Sequence, residues 1–186
     1  MVRDKGSSRE RMINSAVKLL ATRGAAGTTI DGVLADSGAP RGSVYHHFPG
    51  GREELITAAA RAAGERMSAF LRHDDGLVHP RQALAALAEF YGSLLIAGDY
   101  RSGCPIVALT VGGDQIPAAA EIAREVFTGW QEQYRDLLIT HGVPPQRAAT
   151  LATLTVAAVE GAVILARAQR STAPLDDVVA ELTALL

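Results

Sequence analysis

The sequence predicts an all-α protein: a small N-terminal three-helix domain built around a helix-turn-helix, residues 1–50, and a larger C-terminal helical domain, residues 51–186. Three observations predict it. Apolar residues recur at helical spacing almost throughout, beginning with Ile13, Ala16, Val17 and Leu20 at i, i+3, i+4 and i+7. Glycine and proline fall between the periodic runs, where helices would start and stop. The stretch 28–48 reads as two short helices joined by a tight glycine-containing turn.

Each element has its own local signal. Ser7 and Glu10 have the spacing of a capping box that opens the first helix, and Gly24 ends it. Thr28 or Thr29 caps the second helix, which turns Ile30, Val33 and Leu34 inward. Ser37-Gly38 breaks it, because glycine takes the left-handed conformation favoured just past a helix end. Pro40 suits the first turn of the third helix, and Phe48-Pro-Gly-Gly51 stops that helix. An alanine-rich fourth helix is expected over 52–72. A loop with Asp74, Gly76 and His79-Pro80 leads to a fifth, which carries Leu84, Leu87, Tyr91 and Leu94 on one face. After a connection at 98–103, residues 104–111 are read as a short helix, stopped by Gly112-Gly-Asp114. Long helices follow at 117–140 and 146–170, separated by His141-Gly-Val-Pro-Pro145. Ser171-Thr-Ala-Pro174 precedes a last helix.

Composition narrows the function. Of 186 residues, 48% are hydrophobic, enough to bury a real core. A net charge of −2 argues against a protein that coats nucleic acid indiscriminately. The charge is uneven, however: residues 1–60 hold eight Lys/Arg against six acids, and the remainder ten against fourteen. The lone cysteine, Cys104, excludes an internal disulfide and a Cys-rich zinc site, and fits a cytoplasmic protein. The N-terminus is too polar for a secretory signal. The longest apolar region, 151–168, is interrupted by Thr153, Thr155, Glu160 and Arg167, which favours a buried helix over a membrane span.

The third helix carries the most information. Val44 and Phe48 lie four apart on one face, to pack on Ile30, Val33, Leu34 and the first helix. The other side presents Arg41, Ser43, Tyr45, His46 and His47, donors suited to phosphates and base edges. Gly42 would let the helix start approach a sugar-phosphate backbone. Thr28 and Thr29, at a helix N-terminus, and Arg52, at the next helix start, would meet further phosphates. Spacing alone leaves a second reading open, a solvated polar helix in a generic three-helix domain. Metal binding by His46 and His47 is not expected. Neighbours on a helix point about 100° apart, and no acid, His or Cys stands three or four positions away within this helix.

The run Thr-Thr-Ile, followed by Ser-Gly-Ala-Pro-Arg-Gly-Ser-Val-Tyr-His-His-Phe-Pro-Gly-Gly-Arg-Glu-Glu-Leu, resembles the helix-turn-helix signature of TetR-family transcriptional regulators. The Phe-Pro-Gly-Gly-Arg segment is one residue longer than the commonest form and resembles the LmrA/YxaF-type subgroup. So do Gly103-Cys104-Pro105, Glu160-Gly161 and Leu165-Ala-Arg167. The resemblance implies that Thr28 and Thr29 contact phosphate, that Arg41, Gly42, Ser43, Tyr45, His46 and His47 face the groove, and that Arg52 takes the place of the family's lysine. One departure is Asp31-Gly32 within the second helix, where glycine costs about 1 kcal/mol against alanine.

The resemblance further implies a C-terminal domain that binds a small molecule and dimerises. The helix at 146–170 is apolar nearly all round and would be buried on more than one side, facing its own core and a partner, or else forming the central helix of a monomer. Within it, Glu160 needs a partner: an arginine across the dimer, a contact holding register, or a cationic ligand. Phe70, Phe90, Tyr91, Phe127, Trp130 and Tyr134 sit on helices that line the pocket in the family. Tyr91, Trp130, Tyr134, Phe127 and Cys104 are taken as the ligand set, with ordinary core as the default reading of each taken singly. The expected function is a repressor that binds a pseudo-palindromic double-stranded DNA operator as a homodimer and is released by a small, mostly apolar effector. No catalytic residue, cofactor, metal or membrane is expected. The rivals are an α-helical enzyme, with only Cys104, His73, His79 and His141 to draw on, none at diagnostic spacing, and a ligand-binding dimer that has lost DNA function, against which the face from Arg41 to His47 argues.

Overall fold

A computed structural model describes residues 7–71, 78–111 and 116–186. The expected loop at 74–76, the break at 112–114, Arg72 and His73 lie outside the described residues. Among those described, every regular element is a helix. By packing, the chain divides into two units, Met1–Ala63 with Pro105–Arg124, and Gly64–Cys104 with Glu125–Leu186. The expected boundary at residue 50 follows the end of the helix-turn-helix. The packing boundary instead falls inside the fourth helix, because the first unit needs that helix's Leu55, Ile56, Ala59 and Ala60, all buried.

In the first unit, α1 (Ser8–Gly27) opens with the expected capping box: Glu10 N–H donates to Ser7 Oγ at 3.2 Å, and Ser7 N–H to Glu10 Oε2 at 2.8 Å. The helix breaks at Gly24, whose φ of 72° favours glycine. α2 (Ile30–Ser37) is capped by Thr29, whose hydroxyl accepts from Gly32 N–H at 3.1 Å, and it ends at Gly38 in the left-handed conformation. Gly32 has a packing reason: a Cβ there would sit 3.1 Å from Thr29 Oγ1 and 3.5 Å from Leu19 Cδ1. α3 (Ser43–His47) is shorter than expected. Residues 40–42 form a turn in which the Pro40 carbonyl accepts from Ser43 N–H and Oγ, so Pro40 precedes the helix instead of opening it. Val44 and Phe48 close the core with Met12, Leu20 and Val33. α4 (Gly51–Ser68) begins in this unit, and α6 (Pro105–Val111), helical as expected, packs on α1 through Ile106 and Leu109.

The second unit comprises the end of α4, α5 (Pro80–Ala97), most of α7 (Pro117–Thr140), α8 (Pro145–Gln169) and α9 (Ala173–Ala184). α9 packs on α8 and α5. At Gly64, α4 and α7 approach so closely that a Cβ would lie 2.7 Å from Val126 Cγ2. The same approach lets Trp130 Nε1 donate to the Gly64 carbonyl at 3.2 Å. α8 is long and apolar enough to cross a membrane by length and composition alone, and 39% of its most apolar stretch is buried within the chain. One face, with Leu151, Val159 and Val163, is covered. Leu154, Ile164 and Leu165 remain exposed at 45%, 54% and 49%.

Candidate functional site

The helix-turn-helix separates its two faces sharply. Val44 and Phe48 are fully buried, while Tyr45 between them is 64% exposed, with Arg41, Gly42 and His46 also exposed and Ser43 and His47 partly so. The buried side chains hold a five-residue helix that has little stability of its own. The Arg9 guanidinium lies 5.3 Å over the Phe48 ring and closes the core from outside. His46 and His47 meet edge to face at 4.9 Å. Arg41 Nη2 donates to Asp31 Oδ1 at 3.0 Å across the turn. The exposed face therefore offers one guanidinium, one phenol, two imidazoles and a hydroxyl within two turns of backbone.

Two expected contacts are placed otherwise. Thr28 is 1% exposed; its hydroxyl donates to the Gly24 carbonyl at 2.8 Å and its N–H to Ala25 O at 3.2 Å. Arg52 Nε donates to Thr28 O at 2.8 Å, and its Nη2 to Ala25 O. The break at Gly24 leaves carbonyls at the end of α1 without helical partners, and these two residues satisfy them. Thr29, by contrast, is exposed at the start of α2.

The second unit encloses a cavity of about 50 Å³ lined by Met67, Phe70, Leu71, Ala83, Leu84, Leu87, Tyr91, Trp130, Tyr134, Thr155, Val156, Val159 and Glu160. Tyr91, Trp130 and Tyr134 line it. Phe127 and Cys104 stand outside this wall. Phe127 packs edge to face on Trp130 at 5.3 Å. The buried Cys104 thiol is within hydrogen-bonding reach of both Tyr91 and Glu160. Tyr91 OH donates to Glu160 Oε1 at 3.4 Å, a long bond. Glu160 Oε2 is buried without a hydrogen-bond partner. Burial raises the Glu160 carboxyl to about 7, against the opposing pull of Cys104 and Tyr91. Burial also pushes the phenols of Tyr91 and Tyr134 up.

Residues 12–59 match the tetR family of bacterial regulatory proteins, and residues 80–181 match the C-terminal domain of LmrA/YxaF-like transcriptional regulators. The chain belongs to the TetR family. An uncharacterized HTH-type transcriptional regulator of Mycobacterium tuberculosis (strain H37Rv) is 43% identical over 96% of this chain and 93% of its own length. The HTH-type transcriptional regulator LmrA of Bacillus subtilis (strain 168) is 27% identical over 91% and 92%. The crystal structure of a regulatory protein TetR from Rhodobacter sphaeroides shares the fold, with a TM-score of 0.81 at 19% identity over 95% of this chain and 97% of that one.

This TetR-family chain is thus a DNA-binding transcriptional regulator and not an enzyme. Of the histidines weighed for an enzyme, the two among the described residues have local tasks. His79 Nδ1 accepts from Arg81 N–H and caps α5, and the His141 ring donates to Leu137 O at 2.9 Å. Sequence reasoning placed Glu160 inside an apolar helix, with a cationic ligand as one of three partners it could meet, and it passed over Met67, Leu71 and Thr155 as lining residues. The signal present was the carboxylate amid apolar neighbours. Which wall it faces depends on α5 and α7, far away in sequence.

Proposed function

We propose that this TetR-family regulator is a repressor that binds a pseudo-palindromic operator as a homodimer in the cytoplasm and is released by a small, mostly apolar effector. The observation that carries it is the two-faced α3, with Val44 and Phe48 buried and Tyr45 exposed between them. Thr29, Arg41, Gly42, Ser43, Tyr45, His46 and His47 form the DNA-facing set. Arg52 and Thr28 position it by tying α4 to the end of α1. The exposed apolar face of α8 supports dimerisation, and a symmetric dimer reads two half-sites about one helical turn, or a multiple, apart. The cavity in the second unit supports effector binding. α4 supplies buried residues to the first unit and Met67 to the cavity wall, which makes it the natural carrier of the signal. An effector releases the operator only through its differential affinity for the two states.

The test is retardation of promoter fragments flanking the gene, with Tyr45→Phe as the comparison. The expected result is retardation that falls steeply with salt, as neutralised phosphates release counterions, and weakens in the variant while helicity and dimerisation persist. Failure to retard any flanking fragment, with and without candidate inducers, would overturn the reading.

A further inference from the structure

We infer that the cavity binds a small lipophilic amine, with the protonated nitrogen held by Glu160 and the apolar body held by Phe70, Leu84 and Trp130. The inference rests on the reading of this cavity as the effector site and names the chemistry of its occupant. Among the described residues, its wall has one carboxyl group, that of Glu160, and no basic side chain. Glu160 already has neutral donors in the Tyr91 hydroxyl, which reaches Oε1, and the Cys104 thiol. Oε2 has none, and it is buried in a residue that lines the cavity. A buried carboxylate is strongly disfavoured unless a counter-charge with hydrogen-bond donors meets it. The missing partner is therefore a cation bearing N–H groups.

The rest of the wall fits the same occupant. Phe70, Tyr91, Trp130 and Tyr134 offer aromatic surface, which attracts a cation through its negative face. The volume of about 50 Å³ is well below the ~300 Å³ at which drug-sized ligands are usually held. It is also below the ~150 Å³ that takes a benzene ring, so even a single-ring amine requires the flexible Met67 and Leu87 side chains to rotate aside.

The test is calorimetric titration of the full chain at mildly alkaline pH with benzylamine and with benzyl alcohol, its neutral counterpart of the same shape. Benzylamine is expected to saturate one site per chain and to bind at least about tenfold tighter than the alcohol, as for a hydrogen bond to a charged group. Glu160→Gln is expected to abolish that preference, with helicity as the control for folding. Equal binding of the two compounds, a preference that survives in Glu160→Gln, or no saturable binding of either would overturn the inference. If the variant does not fold, the amine-to-alcohol ratio of the unaltered protein decides alone. Operator retardation is read on the same preparations. A protein that binds the amine yet releases no operator upholds the amine site and sinks the effector reading.

Discussion

Arg52 Nε donates to the Thr28 carbonyl at 2.8 Å, which ties the start of α4 to the link between α1 and α2. The guanidinium also serves the Ala25 carbonyl, so one side chain satisfies two acceptors at the broken end of α1. Arg52→Ala is expected to destabilise the protein by about 2 kcal/mol, as for hydrogen bonds from a charged donor. Arg52→Lys should recover only part of this, because an ammonium lacks the fork that spans both carbonyls. Urea unfolding followed by circular dichroism measures both; an Arg52→Ala protein as stable as the unaltered one would refute the tie.

If Arg41 contacts DNA as proposed, Asp31 competes for it. The pair is exposed, at 3.0 Å, and such pairs contribute less than about 1 kcal/mol to folding. Asp31→Asn should leave the melting temperature nearly unchanged while raising operator affinity severalfold, since it releases Arg41 and removes a negative charge from the reading face. Arg41→Ala should do the reverse. Fluorescence anisotropy on a labelled operator at fixed salt tests the opposite signs.

Gly64 has no room for a methyl group. Alanine would ordinarily stabilise a helix interior by about 1 kcal/mol, but the contact of 2.7 Å with Val126 Cγ2 forces α4 and α7 apart. Overpacking of this kind costs about 1–3 kcal/mol. Gly64→Ala should therefore destabilise and, by lengthening the Trp130 Nε1 bond to Gly64 O, shift the fluorescence of that tryptophan.

Glu160 makes stability depend on pH with a definite sign. Its folded value, about 7, lies above the ordinary 4.5, so between these values the folded state holds the proton more tightly than the unfolded chain. Stability should fall as pH rises through this window and level off above it. The groups facing the carboxyl are Tyr91 and Cys104, neither of which supplies positive charge. The full loss would be on the order of 3 kcal/mol. Glu160→Gln should flatten the profile, and melting curves of the two proteins from acid to mildly alkaline pH make the comparison.

The exposed stripe of α8 gives a prediction about assembly. Leu154, Ile164 and Leu165 touch little within the chain. Ile164→Glu should convert a dimer to a monomer in analytical ultracentrifugation without loss of helicity, because a carboxylate buried opposite an apolar face is strongly disfavoured. A dimer unchanged by this substitution would move the interface elsewhere.

Much of this was legible locally. The capping box at Ser7 and Glu10, the glycine stop at Gly38 and the apolar spacing of Val44 and Phe48 are properties of a few consecutive residues, so their helices followed from the chain alone. The exposed set on α3 followed with them, because a helix that buries one side must show the other. The length of α3 did not. It turns on the Pro40 carbonyl, which accepts from Ser43 and makes a turn where a helical start was expected.

What the sequence determined by itself was the helical order, the two faces of the reading helix and the family they belong to. Tertiary structure alone decided that Thr28 and Arg52 are consumed by the end of α1, that Phe127 and Cys104 stand behind the cavity wall, and that Glu160 lines it. The reason is range. Periodicity and caps act over about one or two helical turns, whereas the partner of a polar group, or the far side of a cavity, is supplied by residues tens of positions away.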